Sequence, residues 1–165
     1  MLTADLKSKI DEQIERTMHL TELVPAEQFH WTPAMAGAWP IGKLLGHLLD
    51  CLAGFCAVLY AAHPESLTHF AGLRHLPVNH LCAPDEAFQR MSDYRDHIDE
   101  GFAVLTDADL ARKLPTVFVP DGESLLTLLL GNLEHLINHK HQLFTCLKLM
   151  DVPVGSGDLY RFRTK

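Results

Sequence analysis

The strongest chemical signal in the sequence is a pair of histidines four residues apart. His135 and His139 lie inside a long apolar segment, and on a helix they are neighbours on one face, with about 5–6 Å between their Cβ atoms. Two imidazoles so placed can bind one metal ion. Gln142 returns to nearly the same azimuth as His135, whereas His141 points about 200° away from His139. The segment predicts a metal-binding face with a glutamine beside it.

A third histidine, His47, stands alone inside another apolar segment. A single histidine on an apolar helix face is usually a hydrogen-bonded core residue, so His47 by itself is weak evidence for a metal site. Asp50 lies three residues further on and either orients a histidine ring or sits at the edge of the fold. Cys51 and Cys146 are spaced so that they face the same cavity or serve as small core residues.

Hydrophobic periodicity predicts four long helices that position these side chains. We expect them at about residues 3–23, at Ile41–Ala62, after Pro84-Asp85 and at residues 125–150. Asp85 is a candidate N-cap for the third helix. Residues 116–119 are expected to form an ordered connection, because one short extended segment has no evident partner strand. The tail after Asp151 is expected to be irregular.

Two connections are longer than the two to eight residues normal between bundle helices. They cover residues 24–40 and 63–84, and the second is long enough to cross the whole bundle, so that helices 2 and 3 run parallel. Four histidines lie in it at irregular spacings: His63, His69, His75 and His80. Three interpretations stay open for them: a second metal site, a lid over the first, or solvated loop residues.

The composition excludes several classes of function. The 165 residues are 47% apolar and carry a net charge of −7, which suits one globular domain over residues 1–165 and removes the phosphate-neutralising charge that nucleic-acid binding needs. The apolar run at 51–62 is expected to be too short to span a membrane. With no signal peptide visible and no C-x-x-C pair among four cysteines, we expect a soluble cytoplasmic protein with reduced thiols.

Three segments together resemble the DinB/YfiT-like metalloenzyme family. They are Trp31-Thr32-Pro33, then Ile41-Gly42-x-Leu44-Leu45-x-His47-Leu48, and then His135-x-x-x-His139-x-x-Gln142. The order and rough separations match over most of the chain. Pro40 stands where many relatives have serine, and Lys140-His141 replaces part of a histidine-arginine-glycine run, but neither change touches a histidine of the motif.

The resemblance implies an all-α four-helix bundle in up-down-down-up order with a divalent metal bound by His47, His135 and His139. Three imidazoles suit zinc or nickel, with iron or copper as alternatives, and leave a fourth position for water or substrate. Gln142 is then expected to assist catalysis beside the site, through a ligand ring or toward the substrate.

Two functions from different classes follow from such a site. In the first, the protein is a hydrolase or transferase that activates water or a low-molecular-weight thiol against a small electrophile. In the second, it is a non-catalytic metal-binding module of the stress response whose metal pins helices 2 and 4. A pure dimerisation scaffold is a third possibility, and broad apolar faces favour a homodimer.

Overall fold

A computed structural model describes residues 2–116 and 119–160 of the chain, and its secondary structure is predominantly helical. Four long helices lie close to their predicted positions: α1 at Leu2–Glu22, α2 at Ile41–Ala62, α3 at Pro84–Ala103 and α4 at Leu125–Leu149. Shorter elements are the 3-10 segments Ala26–Gln28, Thr68–His75 and Asp109–Ala111, the strands β1 (Lys113–Leu114) and β2 (Glu123–Ser124), and the helix α5 (Ser156–Leu159).

The long helices share one apolar core, in which α1 and α2 each pack against both α3 and α4. The predicted apolar stripe of α1 is buried, including Ile10 and Ile14. Helix α2 is buried on most of its faces, as expected from its nearly continuous apolar sequence. Because α2 and α4 are in direct contact, side chains that leave α2 toward α4 meet those that leave α4 toward α2.

The start of α3 differs from the prediction, and Asp85 is not its N-cap. The helix begins at Pro84, and the cap position is Ala83, which makes no side-chain cap. Proline is favoured at the first helical position because its missing N–H would have no partner there. Asp85 instead lies in the first turn with Glu86, where negative charge is stabilised by the helix dipole.

A small hairpin precedes α4 and was not predicted. Strands β1 and β2 pair antiparallel, with Lys113 opposite Ser124 and Leu114 opposite Glu123. Ser124 also caps α4, because its Oγ accepts a hydrogen bond from the backbone N–H of Thr127 at 3.1 Å. Of the expected connection at 116–119, residues 117 and 118 lie outside the described part of the chain.

The expectation of an irregular tail after Asp151 is also wrong. Residues Ser156–Leu159 form a short helix, α5. Asp158 Oδ1 lies 2.9 Å from Nε2 of His19 on α1, and Leu159 is buried in the core. These two contacts dock the segment on α1, and sequence periodicity cannot reveal such a short element.

The connection that follows α2 returns along that helix. The N–H of Asn79 donates to the carbonyl of Gly46 at 2.9 Å, and the N–H of Cys82 donates to the carbonyl of Gly42 at 2.9 Å. A Cβ added at Gly46 would overlap the backbone of His80. The two glycines therefore let residues 79–82 lie directly on the first turns of α2.

Helix α2 is long and apolar enough to cross a membrane by length and composition alone. The apolar run expected at residues 51–62 is therefore the second half of a longer apolar helix. In the structure, 56% of its most apolar window is buried inside the bundle. The apolar sequence of α2 is accounted for by this burial, since a central core helix needs side chains of the same kind as a spanning helix.

We predict that Gly46→Ala lowers the free energy of unfolding by about 1–3 kcal/mol, because the new methyl group overpacks the contact with His80. The matched control is Gly131→Ala in α4, where an added Cβ meets no atom within 4 Å. That control should be stabilised by roughly 0.5–1 kcal/mol from helix propensity. Urea unfolding followed by circular dichroism measures both, and equal effects at the two positions would contradict the predicted contact.

Candidate metal centre

The three predicted histidines meet between α2 and α4. Nε2 of His47 lies 3.1 Å from Nε2 of His135 and 3.1 Å from Nε2 of His139. The rings of His135 and His139 lie 4.8 Å apart between centroids, as expected for side chains one turn apart on a helix. The structure thus brings together the three rings that the sequence singles out.

Two amide side chains set the tautomer of two of these rings. Oδ1 of Asn79 accepts from Nδ1 of His47 at 2.5 Å, and Oε1 of Gln142 accepts from Nδ1 of His139 at 2.9 Å. A carbonyl oxygen can only accept, so each Nδ1 carries the hydrogen and each neutral ring presents a lone pair at Nε2. Two lone pairs that face each other at 3.1 Å repel, and a cation placed among them removes the repulsion.

The donor set fits a single metal ion. Two imidazole nitrogens bound to one zinc ion at about 2.0–2.1 Å can be no more than about 4.2 Å apart, and the separations of 3.1 Å from His47 meet that limit. Within residues 2–116 and 119–160, no fourth His, Cys, Asp or Glu joins the group. The three-histidine group could therefore hold a metal ion with part of its coordination left open.

Burial favours the neutral, ligand-ready form of both α4 histidines. Partial burial is the largest cause that lowers the pKa of His135, and the neighbouring His47 lowers it further. Burial also lowers the pKa of His139, although its hydrogen bond to Gln142 acts in the opposite direction. Protonation of either ring would block metal binding, so the lowered pKa values keep the site available at neutral pH.

An aromatic wall beside the site was missed at the sequence level. The ring of Trp39 stacks on His139 with centroids 6.2 Å apart and lies edge-on to His47 at 5.1 Å. Nζ of Lys43 sits 5.3 Å from the centroid of the Trp39 ring. The motif Trp31-Thr32-Pro33 drew attention to the other tryptophan, which packs against the hydrophobic core instead. The signal was available, since Trp39-Pro40 directly precedes the helix that carries His47.

Asp50 is less well placed than Asn79 to orient a histidine ring. Its Oδ2 lies 3.8 Å from Nδ1 of His47, beyond hydrogen-bond distance, while Asn79 occupies that nitrogen. Asn79 was missed because it lies 32 residues from His47 and has a left-handed backbone (φ 58°) in an irregular segment. Long-range contacts of this kind leave no periodic signal in a sequence.

The four cysteines are free and buried, as expected for reduced core thiols. Neither Cys51 nor Cys146 belongs to the three-histidine group. Burial raises the pKa of Cys51 to about 12. Both residues act as small core side chains, which was the simpler of the two interpretations.

The neighbours of the α4 histidines face other directions. His141 is exposed and its ring lies against Phe144, as its azimuth predicts. Lys140 is buried and its Nζ donates to Oε1 of Gln13 on α1 at 2.8 Å. Burial lowers the pKa of Lys140 to about 8. The histidine face of α4 is thus distinct from the face that packs on α1.

The loop histidines do not join the three-histidine group in the described part of the chain. Three of them lie near acidic side chains through their Nε2 atoms: His63 at 3.4 Å from Asp109, His69 at 3.0 Å from Glu100 and His80 at 2.9 Å from Glu86. The fourth, His75, accepts a hydrogen bond from Nε of Arg74 at 3.2 Å. His69 and His80 also belong to separate groups of possible metal ligands.

Comparison with known proteins agrees with this fold. The sequence profile of the DinB superfamily matches residues 9–143, and the chain belongs to that superfamily. The crystal structure of a DinB-like protein, YjoA, from Bacillus subtilis is similar to this chain with a TM-score of 0.68 and 18% identity. The similarity covers 91% of this chain and 96% of that one. A search of curated proteins finds no significant match.

Membership in this superfamily favours a soluble protein. One apolar helix that is more than half buried within its bundle is weak evidence for a membrane span. The apolar character of α2 therefore reflects its central place in the bundle, where it carries His47 toward α4.

We predict that Asn79→Ala weakens divalent metal binding by about 10–100-fold, because the Nδ1 hydrogen of His47 loses its acceptor and the ring is no longer held. Asp50→Asn serves as the control for the other candidate partner and should change the affinity by less than about threefold. Competition titration with a chromophoric chelator measures both variants. A larger effect of Asp50→Asn would assign the orienting role to Asp50.

Proposed function

We propose that His47, His135 and His139 bind one divalent metal ion and that the protein uses it as an enzyme. The ion is zinc or nickel in the first place, with iron or copper as alternatives. The proposed reaction is attack of water or a low-molecular-weight thiol on a small electrophile, as in hydrolases and thiol transferases. The observation that supports this proposal most strongly is that three imidazoles converge and that no fourth His, Cys, Asp or Glu ligand joins them among the described residues.

A metal bound there would lower the pKa of a coordinated water to about 7, or hold a thiol as its thiolate. The protein's own side chains prepare this chemistry. Asn79 and Gln142 hold two rings with their Nε2 lone pairs turned toward one point. The contact of Gln142 with His139 supports a positioning role rather than direct contact with substrate. The ring of Trp39 lies beside those of His47 and His139 on one side of the site.

The up-down-down-up order of the four helices is part of the proposal, and pairs of contacts support it. Along α2 and α4, His47 meets His139, whereas a Cβ at Gly54 would lie 3.1 Å from Asn132. Rising numbers in α2 thus correspond to falling numbers in α4, which is the pattern of antiparallel helices.

The other helix pairs support the same order. Lys7 of α1 pairs with Asp99 of α3 at 2.6 Å, and Thr21 lies 3.7 Å from the sulfur of Met91, which favours antiparallel α1 and α3. The connection after α2 returns to Gly42 before α3 begins, which favours parallel α2 and α3. The His47 ring therefore approaches α4 from a helix that runs opposite to it.

A second function is favoured by the position of the site between two helices. A metal held by His47 from α2 and by His135 and His139 from α4 would cross-link them and stabilise the folded state by mass action. In that case the protein is a metal-binding module of the stress response without turnover. The two functions differ in what is lost when the metal is removed.

We predict that His139→Ala remains folded but loses the metal ion of the three-histidine site and the activity. The variant should bind divalent metal at least tenfold more weakly and show no turnover with small epoxides, esters or maleyl-type acids in the presence of several thiols. His141→Ala is the matched control, because that histidine is exposed two residues away. Metal analysis, thermal unfolding and the activity screen are carried out on both variants.

The outcome of the same experiment separates the two functions. Loss of activity with little change in the melting temperature of the metal-free protein supports the enzyme. Activity that is absent in the wild type, together with a large metal-dependent rise in its melting temperature that His139→Ala abolishes, supports the structural module. Unchanged metal content in His139→Ala would contradict both.

Cytoplasmic location and homodimerisation also belong to the proposal. Four free, buried cysteines suit a reducing compartment. Leu130 and Leu149 are large apolar side chains exposed on α4 and are available to a second copy of the chain. Analytical ultracentrifugation decides the oligomeric state.

A further inference from the structure

A second group of metal-binding side chains lies where the returning connection enters α3. It contains the imidazole of His80, the thiol of Cys82 and the carboxylate of Glu86, whose ligand atoms all lie within 4.8 Å of one another. It shares no residue with the three-histidine site. The spacing H-x-C-x-x-x-E was not singled out in the sequence as a motif.

The backbone holds these three side chains in place before any ligand arrives. His80 and Cys82 are two residues apart in an irregular stretch without helical structure, and alternate residues of an extended chain face the same side. The intervening Leu81 is 44% exposed, whereas Cys82 is fully buried. The bond from Cys82 to Gly42 fixes this stretch on α2, and Glu86 lies in the first turn of α3.

The three side chains contact their neighbours, and one ring nitrogen among them has no partner in the described structure. Nε2 of His80 lies 2.9 Å from Oε1 of Glu86, while its Nδ1 is buried without a hydrogen-bond partner in the described structure. The thiol of Cys82 makes a long contact of 3.5 Å with the carbonyl of Ala83. Buried polar atoms are normally satisfied, and a cation bound at this ring nitrogen would supply the partner that it lacks.

We propose that His80, Cys82 and Glu86 form a second metal site, specific for a borderline-soft divalent cation such as zinc. On binding, the Cys82 S–H bond is broken, the proton goes to solvent, and the sulfur forms a bond to the cation. Imidazole, thiolate and carboxylate are the three donor types that zinc accepts, and water completes a four-coordinate shell. The site is independent of the function proposed for the three histidines.

The local charges support a cation rather than a reactive cysteine. Burial and then the nearby negative charge of Glu86 raise the pKa of Cys82 to about 12, so the free thiol keeps its proton and is a poor nucleophile. A divalent cation would offset both effects, because it stabilises the buried thiolate and neutralises the charge of Glu86. Arg90 lies 3.8 Å from Glu86 and also donates to the carbonyl of Pro77. The Arg90 side chain therefore keeps one hydrogen bond when Glu86 binds metal.

The remaining group of possible ligands carries a weaker case. It consists of His69, His97 and Glu100, of which His69 and Glu100 are exposed and already paired at 3.0 Å. It has no thiol, and exposed acidic groups near histidines are common surface ion pairs of small energetic value. The buried sulfur and the orphaned nitrogen distinguish the His80 group from it.

Cobalt titration of the purified full-length protein tests the second site directly. Co²⁺ bound to a thiolate gives a near-ultraviolet charge-transfer band that three imidazoles cannot give, so the band reports a site that contains a cysteine, and the variants below assign it to Cys82. We expect one equivalent of Co²⁺ per chain to develop this band in the wild type. Cys82→Ser should abolish it, and Cys56→Ser, at another buried cysteine, should retain it.

A second pair of variants keeps the test valid if Cys82→Ser fails to fold. Glu86→Gln removes a ligand at an exposed position and should weaken Co²⁺ binding, measured from the band, by at least tenfold. Asp85→Asn removes the same charge one residue away and should weaken it by less than about threefold. Equal weakening by both would mean that only charge matters and would overturn the site.

The variant His135→Ala distinguishes Co²⁺ bound at the second site from Co²⁺ bound at the three-histidine site. That variant should keep the charge-transfer band while it loses the other bound equivalent. A wild-type protein that develops no band at saturating Co²⁺ overturns the second site and leaves the function proposed for the three histidines untouched. A band that disappears in His135→Ala would also overturn it, because the thiolate would then belong to the first site.

Discussion

The contact between α2 and α4 is the constraint on which the functional site depends. Two rings one turn apart on α4 are placed by helix geometry alone, but the third comes from a different helix 88 residues away from His135. Only the close packing of the two helices brings Nε2 of His47 within 3.1 Å of its partners. Hydrophobic burial of α2 against α4 thus holds three electron-rich nitrogens near one point, where they can bind a cation.

The connection after α2 adds a second layer of control over the same rings. Gly46 allows the backbone of residues 79–82 to lie against the helix, and this contact places the side-chain oxygen of Asn79 on His47. The next residues, His80 and Cys82, belong to the second group of ligands. One backbone segment therefore carries side chains that belong to both groups. Its two hydrogen bonds to α2 fix the position of both sets of side chains.

Much of this arrangement could be predicted from the sequence, and the failures have physical causes. The long helices and the histidine face of α4 follow from the helical period, which depends only on local spacing. The membership of His47 came from a family resemblance, since no local rule links it to α4. Asn79 and Trp39 escaped prediction because their roles arise from tertiary contacts. The Asp85 cap was wrong because the proline before it already satisfies the helix start.

The most direct test of the account is anomalous diffraction at the zinc edge from crystals grown with the metal. The account predicts a peak about 2.0–2.1 Å from Nε2 of each of His47, His135 and His139, with Asn79 and Gln142 still bonded to the outer nitrogens of the first and third rings. A map with no peak among the three rings, or with the ring of His47 turned away from the other two, would contradict it.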